Sequence, residues 1–178
     1  MSSNHALYPL SDFCARAGIA VPSFRTIDHS VVPPPYRQLL VHSRDMTSVL
    51  QEFHGQRIHL EHVELRRDAD RVLRQVVLTL EDGRPAEFGA IEISLAGLPP
   101  PAQQDVLACR TPLGAILLGH NIAYTSQTRG FFELNADAVV AQSLGIAENS
   151  SLFGRTNDLF TSSGNILAQV VEILPPAT

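Results

Sequence analysis

Cysteine is scarce in this chain: among 178 residues only Cys14 and Cys109 occur, with no C-x-x-C and no histidine near either. That excludes a disulfide framework and gives no redox or cysteine-nucleophile motif, so both are expected as reduced thiols. Positive charge is also short. Thirteen Lys+Arg against 18 Asp+Glu leave a net charge of -5 and a pI near 5.7, which is no basic footprint for nucleic acid. Nucleic acid is therefore not an expected partner. No apolar run is long enough to span a bilayer, and the opening residues lack a positive region followed by an apolar stretch; a cytoplasmic location without membrane contact is the expectation.

Nucleotide-binding and hydrolase signatures are missing too: there is no G-x-G-x-x-G, no G-x-x-x-x-G-K-[ST], no G-x-S-x-G and no H-E-x-x-H. His54, His59 and His62 lie close in sequence, yet His59 and His62 would point to opposite faces of a strand and read as surface histidines. No metal and no organic cofactor is expected.

What is present suits one folded domain: 44% hydrophobic and 17% charged residues, in a length that buries one substantial core. The chain is organised around residues 70–95, DRVLRQVVLTLEDGRPAEFGAIEISL, which read as two long strands turned at Glu81-Asp82-Gly83-Arg84. Val72, Val76, Leu78 and Leu80 share one apolar face, and Arg74 lies on it. A buried guanidinium keeps its proton and needs an anion, either a carboxylate of the protein or one brought by a ligand. Two registers are open. A two-residue loop at Asp82-Gly83 places Arg74 opposite Ile91, whereas a three-residue loop with a bulge at the glycine places it opposite Ala90 and puts Phe88, Ala90 and Glu92 on its face.

Elsewhere, residues 11–18 can form a capped helix, and four prolines between Val21 and Tyr36 predict an extended, irregular arm, so residues 1–43 form a helix and arm packed on a domain of residues 44–178. Asp45 before Met46, Val49, Leu50 and Phe53, closed by Gly55, predicts a short amphipathic helix with Met46 at its start. Arg57–Arg66 alternates as a strand. Ala102–Cys109 can be helical after the prolines at 99–101. At residues 111–119 Thr caps, Pro takes the first helical position and Gly119 stops a second helix whose free amides can hold an anion. Residues 121–134 supply one or two strands, residues 135–145 a helix, and residues 151–174 a closing hairpin turned at Ser162-Ser163-Gly164-Asn165. In its last strand Ile166, Ala168, Val170, Glu172 and Leu174 share a face, so Glu172 is a lone acid among apolar side chains. Either Arg74 pairs with Glu172 or Glu92, or the two misfits line a pocket in which Arg74 holds a ligand carboxylate and Glu172, its pKa raised by burial, moves a proton.

Taken in order, DMTSVLQEF (45–53), RQVVLTLEDGRPAEFGAIEI (74–93), TPLG (111–114), LFGRTNDLF (152–160) and SGNILAQVVEILPP (163–176) resemble the chorismate lyase family from about residue 44 onward. The resemblance implies an α+β fold of one antiparallel sheet with helices mainly on one face and an enclosed ligand pocket, shared with ligand-binding domains of some transcription regulators. It implies elimination of pyruvate from chorismate or a related enolpyruvyl acid without a cofactor. On it, Arg74 would grip a substrate carboxylate, Met46, Leu113 and Gly114 would form the pocket wall, and Glu172 would be the catalytic glutamate. Two departures stand. Gly89-Ala90 occupies the place of a Gly-Arg pair, and counting from Ser163-Gly164 puts the family glutamate on Val171 unless a bulge shifts it to Glu172. A non-catalytic module that binds or senses a small aromatic acid, or the same fold running another reaction, is the alternative.

Overall fold

Apolar side chains at every second position make residues 71–80 and 85–94 strands, and Gly83, in the left-handed region at φ +84°, turns one into the other. In the computed structural model, which describes residues 6–177, the elements in chain order are α1 (Leu10–Ala17), β1 (Phe24–Ile27), α2 (Tyr36–Leu40), α3 (Met46–His54), β2 (Ile58–Asp68), β3 (Arg71–Leu80) and β4 (Pro85–Ser94). There follow α4 (Pro100–Ala108), α5 (Leu113–Gly119), β5 (Tyr124–Asn135), α6 (Ala138–Leu144), β6 (Ser151–Thr161) and β7 (Ile166–Leu174). The strands form one antiparallel sheet in the order β1-β5-β6-β7-β4-β3-β2. No helix of the described residues is long and apolar enough to cross a membrane.

Four of the helices lie on one face, as the fold class requires. Here α2 and α3 pack Leu40, Met46 and Leu50 on Leu78 and Leu174, while α4 and α5 pack Val106, Leu113 and Leu117 on Ile91 and Val170. On the other face α1 and α6 cover Leu73, Val77, Phe88, Ala90, Val171 and Ile173. Burying both faces explains why β3, β4 and β7 read as nearly continuous apolar runs.

The helix capped by Asp45 and closed by Gly55 forms over Met46–His54, with the Asp45 carboxylate accepting from the Ser48 amide at 2.8 Å. Other expectations need correcting. The proline-rich arm is not wholly irregular, because Phe24–Ile27 adds to the sheet edge as β1, paired with β5. Helix α1 begins at Leu10 after Pro9, not at a Ser11 cap. Helix α5 begins at Leu113 with Pro112 in the cap position, so Thr111 does not cap it, and its first residues lie against the Asp45 carboxylate.

Both registers proposed for the long hairpin are half right. Its loop is the three-residue one: the Gly83 amide donates to the Leu80 carbonyl, and the Leu80 amide to the Arg84 carbonyl. The pairing shifts, however, between Leu78–Glu87 and Thr79–Pro85, so an extra residue, Ala86, is absorbed in β4 and Arg74 ends opposite Ile91. A strand has a side-chain period of two, so this one residue moves Phe88, Ala90 and Glu92 to the far face and brings Glu87, Gly89 and Ile91 to the face of Arg74. A second bulge, at Leu167 in β7, places Glu172 rather than Val171 opposite Arg155.

Gly154, on β6, is the tightest glycine position: a Cβ there would overlap the Phe132 ring and the Glu172 carbonyl oxygen. Gly154→Ala is expected to destabilise by about 1–3 kcal/mol, measured as a lower midpoint in urea unfolding. An unchanged midpoint would show that the ring and strand give way freely.

Candidate functional site

The bulges give the helix-rich face of the sheet its polar side chains, and a cavity of about 80 Å³ lies over them. Its floor is Arg74 and Val76 of β3, Glu87, Gly89 and Ile91 of β4, Val170 and Glu172 of β7, and Arg155 and Asn157 of β6. Met46 and Thr47 from the start of α3, and Leu113, Gly114 and Leu117 from α5, form its roof. The two roof helices meet where Asp45 presses on Gly114; a Cβ on Gly114 would fall 2.8 Å from the Asp45 Oδ1.

Arg74, Met46, Leu113, Gly114 and Glu172 thus come together as the sequence pattern suggests. Ala90 and Glu92 do not. Ala90 sits in the core under α1 and α6, and Glu92 pairs across the sheet with Leu73 on that same far face. There its carboxylate accepts from Arg71 at 3.0 Å and from the Tyr8 hydroxyl. Neither of the protein carboxylates considered as partners for Arg74 reaches it, since Glu172 is held by Arg155.

All thirteen cationic side chains are arginine, and two of them, Arg74 and Arg155, are buried in this site with opposite circumstances. Arg155 has its donors used. Its Nε donates to the Glu172 carboxylate, and its Nη1 donates at 2.9 Å to the carbonyls of both Leu40 and His42. It thereby ties the chain entering α3 to the sheet floor. Burial, and then the charge of Arg155 3.3 Å away, lower the pKa of His42 and keep that ring neutral.

Arg74 is 1% exposed and has no carboxylate partner among the described residues. Its contacts are long and neutral, Nη1 to Cys109 Sγ at 3.9 Å and Nη2 to the Thr111 carbonyl at 3.5 Å, and its Nε has no partner. Burial lowers its pKa, opposed by the Cys109 sulfur, but a guanidinium starts so high that it stays charged at neutral pH. A positive charge is therefore held in a buried site without a carboxylate beside it among the described residues.

Glu87 completes the set. It is fully buried, and its Oε2 has no hydrogen-bond partner. Burial first, then the neighbouring Glu172 charge, raise its pKa well above the usual carboxylate range, with Arg155 acting against them. Arg155 is already paired with Glu172, so burial is left to favour the protonated form of Glu87.

No protein-family model matches the chain, and no curated protein sequence matches it. Solved structures do match in shape. PhnF from Mycobacterium smegmatis aligns with a TM-score of 0.60 at 14% identity, over 76% of this chain and 65% of that one; its effector domain alone aligns with a TM-score of 0.58 at 14% identity, over 76% and 90%. The fold is shared with the effector domain of PhnF. A possible transcriptional regulator, YydK from Bacillus subtilis, aligns with a TM-score of 0.54 at 11% identity, over 66% of this chain and 58% of that one. Against whole PhnF and YydK the chain thus spans less than two thirds of their length. These neighbours overturn the expected membership of the chorismate lyase family, since regulator structures match where no lyase family model does, while the fold class it implied stands.

Sequence reasoning misses Arg155 and Glu87. Arg155 has the signal that exposed Arg74, a charge two residues from Phe153 and four from Leu159, but Asn157 on the same face breaks the apolar pattern. Glu87 is hidden by the Ala86 bulge, which no glycine announces.

Removing one partner of the buried pair, as in Arg155→Met, is expected to cost about 3–5 kcal/mol, with the double replacement Arg155→Met/Glu172→Leu costing less; equal losses in chemical denaturation would deny the pair its role. The raised pKa of Glu87 adds a pH signature. Its contribution is whole below the ordinary carboxylate range and lost as pH rises from there toward its raised value, so the free protein should weaken over that window and Glu87→Gln should weaken less. Parallel pH–stability curves would contradict the protonated acid.

Proposed function

We propose that this chain is a binding module for a small carboxylic acid, in which Arg74 takes the ligand's charge and the module senses the ligand rather than transforming it. The observation that carries this reading is the buried Arg74 guanidinium without a carboxylate among the described residues. A ligand carboxylate supplies what the protein withholds, in charge-assisted hydrogen bonds at a buried site where they are stronger than in water. The apolar walls, Val76, Ile91, Leu113, Leu117 and Val170, suit a hydrocarbon or ring body.

Sensing is favoured over catalysis by the state of Glu172. The acid assigned to proton transfer is tied through its Oε2 to Arg155, whose other donors are fixed on the chain entering α3. The fold shared with the PhnF effector domain supports the same reading. It also removes the argument against a nucleic-acid partner: the net charge of -5 speaks only for this chain's own surface, and YydK, of similar fold, is named as a possible transcriptional regulator. The cavity is about 80 Å³, against about 150 Å³ for one that admits benzene. A ring therefore enters only when α3 and α5 part at the Asp45–Gly114 contact, which gives the ligand a structural consequence to be read.

Calorimetric titration with cyclohexanecarboxylate and benzoate tests this. Arg74→Ala should lose about 2 kcal/mol or more of binding, roughly a 30-fold weakening. Unchanged affinity in Arg74→Ala, or chemical conversion of the bound acid, would contradict it.

A further inference from the structure

Two buried side chains in the cavity, Arg74 and Glu87, each keep an unpaired polar atom, and only one of them is met by a ligand's acid group. The second is Glu87, whose Oε2 is buried and without a hydrogen-bond partner among the described residues. It faces the cavity because the Ala86 bulge turns it there, opposite Leu78. The titratable groups around it are Glu172 of β7, Arg155 of β6, Arg74 of β3, Tyr124 of β5, and Arg44 and Asp45 at the entry to α3, with neutral His42 behind Arg155. The one guanidinium described beside the two acids is Arg155, already bound to Glu172. Glu87 is thus a carboxylic acid with an O–H to donate and no acceptor, and a buried donor left unmatched in a pocket is a recognition element waiting for its acceptor.

We infer that Glu87 determines specificity by donating a hydrogen bond to a second oxygen of the ligand, so that the module selects a small acid carrying a hydroxyl or oxo group at the far end of its apolar body. This rests on Arg74 as the anion site and adds the other end of the ligand. Arg74 lies opposite Ile91, and Glu87 is four residues along the same strand, about 13 Å of backbone. Between these two rows the floor is Val76 and Gly89, with Glu172 beside Gly89 on β7. A Cβ at Gly89 would meet Val76 Cγ2 and Glu87 Oε1, each at 3.4 Å, so the bare glycine keeps the path between the two polar ends open.

The test compares cyclohexanecarboxylate, trans-4-hydroxycyclohexanecarboxylate and trans-4-aminocyclohexanecarboxylate by calorimetry. The hydroxy acid should bind about tenfold tighter than its parent. That gain should survive in Glu87→Gln, whose carboxamide also donates, and vanish in Glu87→Leu. For 4-oxocyclohexanecarboxylate, whose ketone can only accept, the wild-type gain should decline as pH rises through the titration of Glu87, while for Glu87→Gln it should not change with pH. The inference is overturned if the hydroxyl brings no gain, if Glu87→Leu keeps it, or if the amino acid is preferred, since that would make Glu87 a carboxylate. Should all three acids bind alike and be lost in Arg74→Ala, this inference fails and the anion site stands; should Arg74→Ala bind them as wild type does, the anion site itself fails.

Discussion

A β-strand has two faces, and a single inserted residue decides which side chains meet. The arrangement of this molecule's pocket depends on that constraint twice. The Ala86 bulge presents Glu87, Gly89 and Ile91 to the face of Arg74, and the Leu167 bulge sets Glu172 against Arg155. Without the first, Phe88 and Ala90 would fill the space over which the cavity lies. Without the second, Arg155 would face Val171, and a buried guanidinium would lose its carboxylate. Bulges gather beside functional sites because they re-aim one side chain without disturbing the rest of the ladder.

Once those side chains are in place, their electrostatics follow from counting. Two buried guanidiniums and two buried carboxyls share the cavity floor, and they do not pair off. Arg155 and Glu172 neutralise each other, and the remaining Arg155 donors hold the chain entering α3. Burial, and after it the charge of neighbouring Glu172, raise the pKa of Glu87 and favour its protonated form. Arg74 is left with a sulfur and a carbonyl, and the pocket carries one positive charge. A stability-driven design would have paired Arg74 or replaced it with leucine; retaining it unpaired suits a site completed by an anionic ligand.

Much of this was legible in the sequence where alternation was clean. Arg74 and Glu172 each broke an apolar face, Asp45 and Gly55 bracketed a helix, and the turns at residues 81–84 and 162–165 closed hairpins. What stayed hidden was parity. A register correct at the turn and wrong from Leu78 onward puts Ala90 and Glu92 on the pocket face. The turn chemistry of Gly83 fixes only the loop, while bulging at Ala86 is settled by packing of both faces, to which short-range sequence is blind. The family resemblance erred differently: its motifs specify a pocket on this sheet, and related sheets can hold a pocket for sensing as well as for chemistry.

The most direct test of the unpaired guanidinium is nuclear magnetic resonance of the arginine Nε–H groups during titration with cyclohexanecarboxylate. The Arg74 signal, assigned by its disappearance in Arg74→Ala, should move strongly and saturate, while the Arg155 signal, already committed to Glu172, should stay near its place. An Arg74 signal indifferent to the acid, or a response centred on Arg155 instead, would contradict the account.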